Sequence, residues 1–238
     1  MLDYSIIIPA YNEEALLPAT LAAIAAARDG LPGEGEVIVV DNNSSDRTAD
    51  VAAALGARVV FEAKNQIARA RNAGAHAAQG ELLIFIDADT LVDHALLVAA
   101  IERLRSGQHC ACGAAIRFDA DIPSKAARAL RLFNRMASRF GVMAGSFVAT
   151  SSAAFADVGG FPESVYAGEE LFLSRRLQRW GKRHGRQTVS IIREHPVLTS
   201  ARKFETYSLP HLIFSHLILG ICPPLMRSKR FCSFWYSR

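Results

Sequence analysis

Cysteine is scarce in this chain: four residues in 238, at positions 110, 112, 222 and 232, with no CxxC pair. That spacing excludes a disulfide-stapled scaffold and a zinc ribbon. Cys110 and Cys112 are expected to share one face of a strand as ordinary packing residues. A long unbroken apolar run is also missing. The richest stretch, 209–226, is interrupted by Pro210, His211, His216, Pro223 and Pro224, so it does not read as a membrane-spanning helix. No basic leader precedes the apolar residues near the start, which stop at Pro9, so the opening is not read as a signal peptide and a cytoplasmic setting is expected. Nor does one charge dominate. Lys plus Arg is 27 against 23 for Asp plus Glu, an excess too small to indicate a nucleic-acid partner. The acids concentrate in the first half and the bases in the second, which suggests an anionic partner for the second half. Repeats, low-complexity tracts and flexible linkers are absent, as expected for one large domain.

What is present is an alternation. Strand-like runs at 4–9, 36–41, 58–61 and 81–87, with another opening at 112–118, are separated by helix-like segments at 13–28, 45–55, 66–78 and 93–105. Ser44 or Ser45 is the expected cap of the second helix and Gly56 its stop. Single-helix spacers between strands imply an α/β fold, with a Rossmann-like, mostly parallel twisted sheet and helices on both faces. Ligands of such sheets bind beyond the carboxyl ends of the strands. The polar residues lie there: Pro9-Ala-Tyr-Asn-Glu13 after the first strand, Asp41-Asn-Asn-Ser-Ser-Asp46 after the second, Asp87-Ala-Asp89 after the fourth.

Asp87 and Asp89 are spaced i, i+2 at a strand end, so both carboxylates can reach a common point. Two hard oxygen ligands suit Mn²⁺ or Mg²⁺, with phosphate oxygens and water completing the coordination. Asp41, with Asn43 beside it, can accept from a nucleobase N–H or a ribose hydroxyl; the other reading is a helix cap. Arg71 and Asn72 lie in an Ala-rich helix, where an unpaired Arg is costly to bury. Arg71 therefore points either to a phosphate or to a carboxylate such as that of Asp87.

The segments Ile6-Ile-Ile-Pro-Ala-Tyr-Asn-Glu13, Val40-Asp-Asn-Asn-Ser-Ser-Asp-Arg-Thr48, Ala70-Arg-Asn-Ala-Gly74 and Asp87-Ala-Asp89 resemble, in order and spacing, the family 2 glycosyltransferases, an inverting group with the GT-A fold. Gly159-Gly-Phe-Pro-Glu163 and Gly168-Glu-Glu-Leu-Phe-Leu-Ser-Arg-Arg-Leu177 are similar to that family's acceptor and catalytic segments, and the likeness extends to about residue 205. It implies that Pro9, Tyr11 and Glu13 line a nucleotide pocket. Asp41 would then contact the base, uracil in much of the family, and Asp87 and Asp89 would face ribose, metal and diphosphate. The general base would be Glu170, where the family usually has Asp, with Glu169 as its competitor. A late His, here His195, would join the metal ligands, and a late Arg, here Arg202, would hold the diphosphate. The expected partner is a nucleoside-diphosphate sugar, and the acceptor is left open.

Two rival readings stand beside this one. A sugar nucleotidyltransferase would want a Gly-rich basic phosphate loop where this chain has Pro9-Ala-Tyr-Asn-Glu-Glu14. A non-catalytic nucleotide-sugar binder is kept open by Glu170. The expected layout is a domain at 1–205, its nucleotide-binding half at 1–113 and its acceptor and catalytic half at 114–205, then an apolar, basic-aromatic tail at 206–238. Lys125, Arg128, Arg131, Arg135 and Arg139 recur every three or four residues among Leu130, Phe133, Ala137 and Phe140, giving an amphipathic basic helix. It reads either as a solvated stripe or as a contact for anionic headgroups or an acceptor phosphate. The tail reads either as an interfacial anchor, placing the protein on the cytoplasmic face of a membrane, or as a segment packed on the domain or in a homodimer contact.

Overall fold

A computed structural model of the chain describes residues 2–202, 223–232 and 236. Parallel strands β1 (Leu2–Ala10), β2 (Gly35–Asp41), β3 (Arg58–Phe61) and β4 (Gly80–Ile86) alternate with helices α1 (Leu17–Arg28), α2 (Thr48–Ala54) and α3 (Ile67–Ala77). Then follow β5 (Thr90–Leu91), α4 (His94–Arg105), β6 (His109–Phe118), α5 (Ser124–Phe140), β7 (Phe147–Ser151), α6 (Ser152–Asp157), α7 (Glu169–Arg183) and β8 (Thr188–Thr199). All eight strands join one sheet in the order β3-β2-β1-β4-β7-β6-β8-β5. The first four strands and the β6–β8 pair are parallel, while β7 runs antiparallel between β4 and β6 and β5 antiparallel to β8, so the sheet is mixed.

Strand alternation builds the core. On β1 and β4, Ile6, Ile8, Ile84 and Ile86 face Leu17, Leu21 and Ile24 of α1 and Leu96, Leu97 and Ile101 of α4. Ile7, Leu83 and Phe85 face the other layer, with Phe155, Phe161, Leu173 and Leu177. Both faces of the central strands are therefore dry, as their near-continuous apolar sequences require.

Several boundaries differ from the sequence pattern for local reasons. The first helix starts at Leu17 rather than 13, with Pro18 in its first turn, because residues 13–16 are used elsewhere. The Glu13 amide donates to Thr48 Oγ1 and the Glu14 amide to Asp46 Oδ2. The second helix starts at Thr48, and its first amide goes to Asp46 Oδ1, not to Ser44 or Ser45. Those serines instead bond Asn12: its amide donates to Ser44 Oγ, and its Oδ1 accepts from the Ser45 amide. Cys110 and Cys112 do not share a face. An irregularity in the β6–β8 register between His109 and Ala111 shifts the alternation, so Cys110 packs in one core layer and Cys112 in the other.

Of the tail, residues 206–222, 233–235 and 237–238 lie outside the described residues, and with them much of the expected anchor. Residues 223–227 form a short 3₁₀ turn. Met226 and Cys232 pack against Val165 and Ala167, and the Tyr166 amide donates to Met226 O at 2.6 Å. The described part of the tail therefore docks beside the start of α7. Among the described residues no helix is long and apolar enough to cross a membrane.

Gly74 marks the closest approach of α3 to the sheet. A Cβ there would stand 2.4 Å from Ile7 Cγ2 and 2.9 Å from Val40 Cγ2. Gly74→Ala is expected to destabilise the protein. Overpacking costs about 1–3 kcal/mol, against a gain of up to about 1 kcal/mol in helix propensity. Urea unfolding checks this, and a midpoint at or above that of the wild type would contradict it.

Candidate active site

The carboxyl ends of β1, β2 and β4 converge on one edge of the sheet, and the loops that follow them are tied together. Asn12, Glu13 and Glu14 are stitched to residues 44–48 by the bonds just described, closed by the Arg47 amide donating to Glu14 Oε2. Tyr11 and Pro9 are partly exposed on this rim. Asp41 is buried and one of its oxygens accepts from the Ser44 amide, forming an Asx-type turn that leaves the neighbouring Asn43 exposed with φ 64°. Asp41 thus closes a local turn and does not cap the next helix, whose first amide goes to Asp46.

Asp87-Ala-Asp89 forms the turn after β4. Thr20 Oγ1 donates to Ala88 O at 2.7 Å, the Asp87 amide to Ser146 O and the Thr90 amide to Asp87 O, so the turn is anchored from three sides. Each aspartate meets an arginine. Arg71, buried on α3, donates from Nη2 to Asp87 Oδ1 and from Nη1 to Glu169 Oε1, both at 2.7 Å, with a further bond to Gly145 O. Arg202 lies 3.6 Å from Asp89 Oδ2 and donates to both oxygens of Glu13. Of the two expectations for Arg71, the carboxylate is the one the structure realises. Burial would push the Arg71 pKa down, but the charges of Asp87 and Glu169 outweigh it and keep the guanidinium firmly protonated.

The acidic pair opens α7. Gly168, in the left-handed conformation at φ 71°, turns the chain so that Glu169 and Glu170 occupy the first helical turn. Their environments separate them. Glu169 is buried and locked to Arg71, whereas Glu170 is partly exposed and its pKa is pushed up to about 7 by desolvation, reinforced by the Glu169 charge. Burial also raises Glu13 to about 7, although Arg202 opposes it.

His195 stands in an irregular stretch of β8, where the register against β6 slips between Ala114 and Ile116. Among the described residues no three His, Cys, Asp or Glu side chains are grouped as a metal cluster. The donor set at the β4 turn is two carboxylates, hard oxygens suited to a cation that takes its other ligands from phosphate and water.

Sequence reasoning did not anticipate the clamp on the segment before α7. Gln66 Nε2 donates to Glu163 O and Val165 O; Asn72 Oδ1 accepts from the Phe161 amide while its Nδ2 donates to Phe161 O. Asn42 fixes the far end, accepting from the Gln66 amide and donating to Glu62 O and Lys64 O. Buried Asn and Gln beside strand ends were the available signal, because such amides must find partners.

This mixed sheet, with an acidic turn after β4 and a second acidic pair opposite it, has the architecture of GT-A glycosyltransferases. The chain matches Glycosyl transferase family 2 over residues 5–156, and it belongs to that family. An uncharacterized glycosyltransferase of Mycobacterium tuberculosis is 39% identical over 109 residues, covering 46% of this chain and 47% of the relative. An undecaprenyl-phosphate 4-deoxy-4-formamido-L-arabinose transferase of Aeromonas hydrophila is 41% identical over 97 residues, 36% of this chain and 28% of the relative. The matched stretch thus spans half or less of these curated relatives. Among solved structures, a mannosyltransferase from Pyrobaculum calidifontis, in complex with GDP-Man and Mn²⁺, shares the fold with a TM-score of 0.71 at 20% identity, covering 94% of this chain and 67% of that one. Glucosyl-3-phosphoglycerate synthase from M. tuberculosis, in complex with Mn²⁺, UDP-glucose and phosphoglyceric acid, gives 0.63 at 20% identity, covering 91% and 79%.

Arg71→Met is expected to cost about 3–5 kcal/mol in urea unfolding, because it strands the buried Glu169 carboxylate as well as freeing Asp87. Most of the loss belongs to the Glu169 arm, since the Asp87 side chain is 35% exposed. A loss below about 1 kcal/mol would show that these charges do not depend on one another.

Proposed function

We propose that this chain transfers a sugar from a nucleoside-diphosphate sugar, uridine-linked, to an acceptor hydroxyl, with inversion at the anomeric carbon. The observation that carries this reading is the joining of Asp87, at the end of the nucleotide-binding strands, to the Glu169–Glu170 pair through the single buried Arg71. It brings a place for a diphosphate and a place for a base to one mouth. Pro9, Tyr11, Glu13, Asp41 and Asn43 would line the nucleoside side, and Arg202 would face the diphosphate. Asp87 and Asp89 would hold a divalent cation, Mn²⁺ or Mg²⁺; when bound, it supplies positive charge to the departing nucleoside diphosphate. His195, in the irregular stretch of β8, would be a further ligand of that cation.

Glu170 takes the base role and Glu169 the positioning role. A base must be free to accept a proton near neutral pH, and Glu170, poised at about 7, is suited to that, while Glu169 is spent on Arg71. In the proposed reaction Glu170 removes the acceptor's hydroxyl proton as the oxygen attacks the anomeric carbon and the bond to the diphosphate oxygen breaks. No covalent sugar–enzyme intermediate is required. A membrane lipid-linked acceptor, met from the cytoplasmic face, is the acceptor class this reading favours. Support comes from the relative named as an undecaprenyl-phosphate 4-deoxy-4-formamido-L-arabinose transferase and from the basic second half of the chain.

Three measurements test the reading. Asp89→Ala is expected to abolish metal-dependent donor binding in calorimetry; wild-type affinity in the presence of Mn²⁺ would remove Asp89 from the site. Glu170→Gln should lower turnover by about 10²–10⁴-fold with donor affinity nearly unchanged. A normal rate in that variant, with collapse in Glu169→Gln, moves the base to the neighbour. In the wild type kcat/KM should climb with pH and level off above about 7, because a raised carboxylate pKa keeps the base protonated below that value. If the wild type binds donor but never releases nucleoside diphosphate, the chain is a nucleotide-sugar binder instead.

A further inference from the structure

Helix α5 is built inside out. Only Ala126 and Ala137 of its residues are buried. Four of its larger apolar side chains face away from the protein, with Leu130 half-buried: Leu132 is 58% exposed, Phe133 42%, Met136 46% and Phe140 54%. Together with Ala129 they recur at spacings of three and four, so they form one continuous stripe along the helix. Arg128, Arg131, Arg135 and Arg139 form a second exposed stripe at the same spacing alongside it, with Lys125 at the head, and the helix carries no acid. The helix is nevertheless firmly placed. Asn134 exchanges two hydrogen bonds with the backbone of Ile116, and Gln178 of α7 donates to Phe140 O and Gly141 O. It is a pinned helix whose outward face pairs an apolar sector with a cationic one.

We propose that this face of α5 docks in the plane of an anionic membrane surface, with Leu132, Phe133, Met136 and Phe140 entering the headgroup–acyl boundary and the arginines paired with lipid phosphates. A purely solvated stripe accounts for the arginines but not for four large apolar side chains beside them. A second copy of this chain is disfavoured, because a symmetric contact would bring two acid-free cationic stripes together. An anionic bilayer satisfies both sectors at once. The placement also suits the chemistry: α5 follows β6, whose last residue Phe118 pairs with Thr199, and the next residue, Asp119, accepts from the Ala201 amide beside Arg202. The membrane would thus lie next to the mouth of the candidate site. The bearing on a lipid-linked acceptor rests on the proposed transferase activity, but the docking itself does not.

The test is co-sedimentation of the full chain with phosphatidylglycerol-containing vesicles against pure phosphatidylcholine vesicles. The wild type should bind the anionic vesicles and lose at least about tenfold in affinity when salt is raised to about 0.5 M. Leu132→Ser/Phe133→Ser/Met136→Ser should lose binding about tenfold or more, and Arg128→Glu/Arg135→Glu likewise. Both should keep the wild-type melting temperature and the wild-type rate of donor hydrolysis. Three outcomes overturn the proposal: a wild type that stays in the supernatant at low salt, a triple-serine variant that binds like the wild type, or a triple-serine variant that melts lower or changes from dimer to monomer in light scattering. The last would show the stripe covered by residues 203–222 or by a second copy. Failure of donor hydrolysis in the wild type with vesicle binding intact would instead strike the transferase reading alone.

Discussion

A guanidinium cannot be left without anions in an apolar layer, and Arg71 is the group on which the site depends. It sits on α3, among the core residues that press against β1 and β2, yet its two arms reach Asp87 at the end of β4 and Glu169 at the start of α7. Three charges taken out of water are tolerable only in each other's company. The consequence is geometric. The acidic turn after β4 and the acidic turn of α7 are far apart in the chain, and one side chain fixes their separation in space. Arg202 repeats the device at the rim, joining Glu13 to Asp89. There the arginine end is partly open to solvent while the Glu13 carboxylate it covers is buried, so this contact too is costly to leave unmade.

The difference between Glu169 and Glu170 follows from the same interaction. Adjacent carboxylates on a first helical turn would ordinarily be near equivalents, both favoured by the helix dipole. Because Arg71 neutralises one, the other is left with burial and a neighbouring negative charge, and its proton affinity rises. The substitution of Glu for the family's usual Asp at 170 lengthens the side chain by a methylene. Its backbone is held, since Glu170 O accepts from Ser174 Oγ, which in turn accepts from the Met143 amide.

Much of this was legible in the sequence. The apolar runs that became β1, β2 and β4, and the polar residues that follow each, located the edge of the sheet on which the candidate site residues gather, because strand periodicity and parallel topology leave few alternatives. The motif order identified the family. What escaped was whatever depended on partners distant in sequence. The helices expected from 13 and 45 start later because the Glu13 and Glu14 amides donate to Thr48 Oγ1 and Asp46 Oδ2, far along the chain, and Asp46 rather than a serine receives the Thr48 amide. The antiparallel insertion of β7 leaves no trace in a run of apolar residues, which reads the same in either direction. The split of Cys110 and Cys112 between two layers follows from one irregular residue in β6, which periodicity alone does not reveal.

The clamp formed by Gln66 and Asn72 has a bearing on how new specificities arise. These amides hold residues 161–165 chiefly by main-chain atoms: the amide and carbonyl of Phe161 and the carbonyls of Glu163 and Val165. A peptide bond presents the same donor and acceptor whatever side chain is attached. The loop ahead of Glu169 and Glu170 is therefore moored partly by atoms that every residue carries and partly by its own side chains, since the Glu163 carboxylate accepts from Asn72 and Arg69 and Phe161 and Val165 are buried. Exposed Ser164 lies between these moorings, so it can be rewritten without casting the loop adrift.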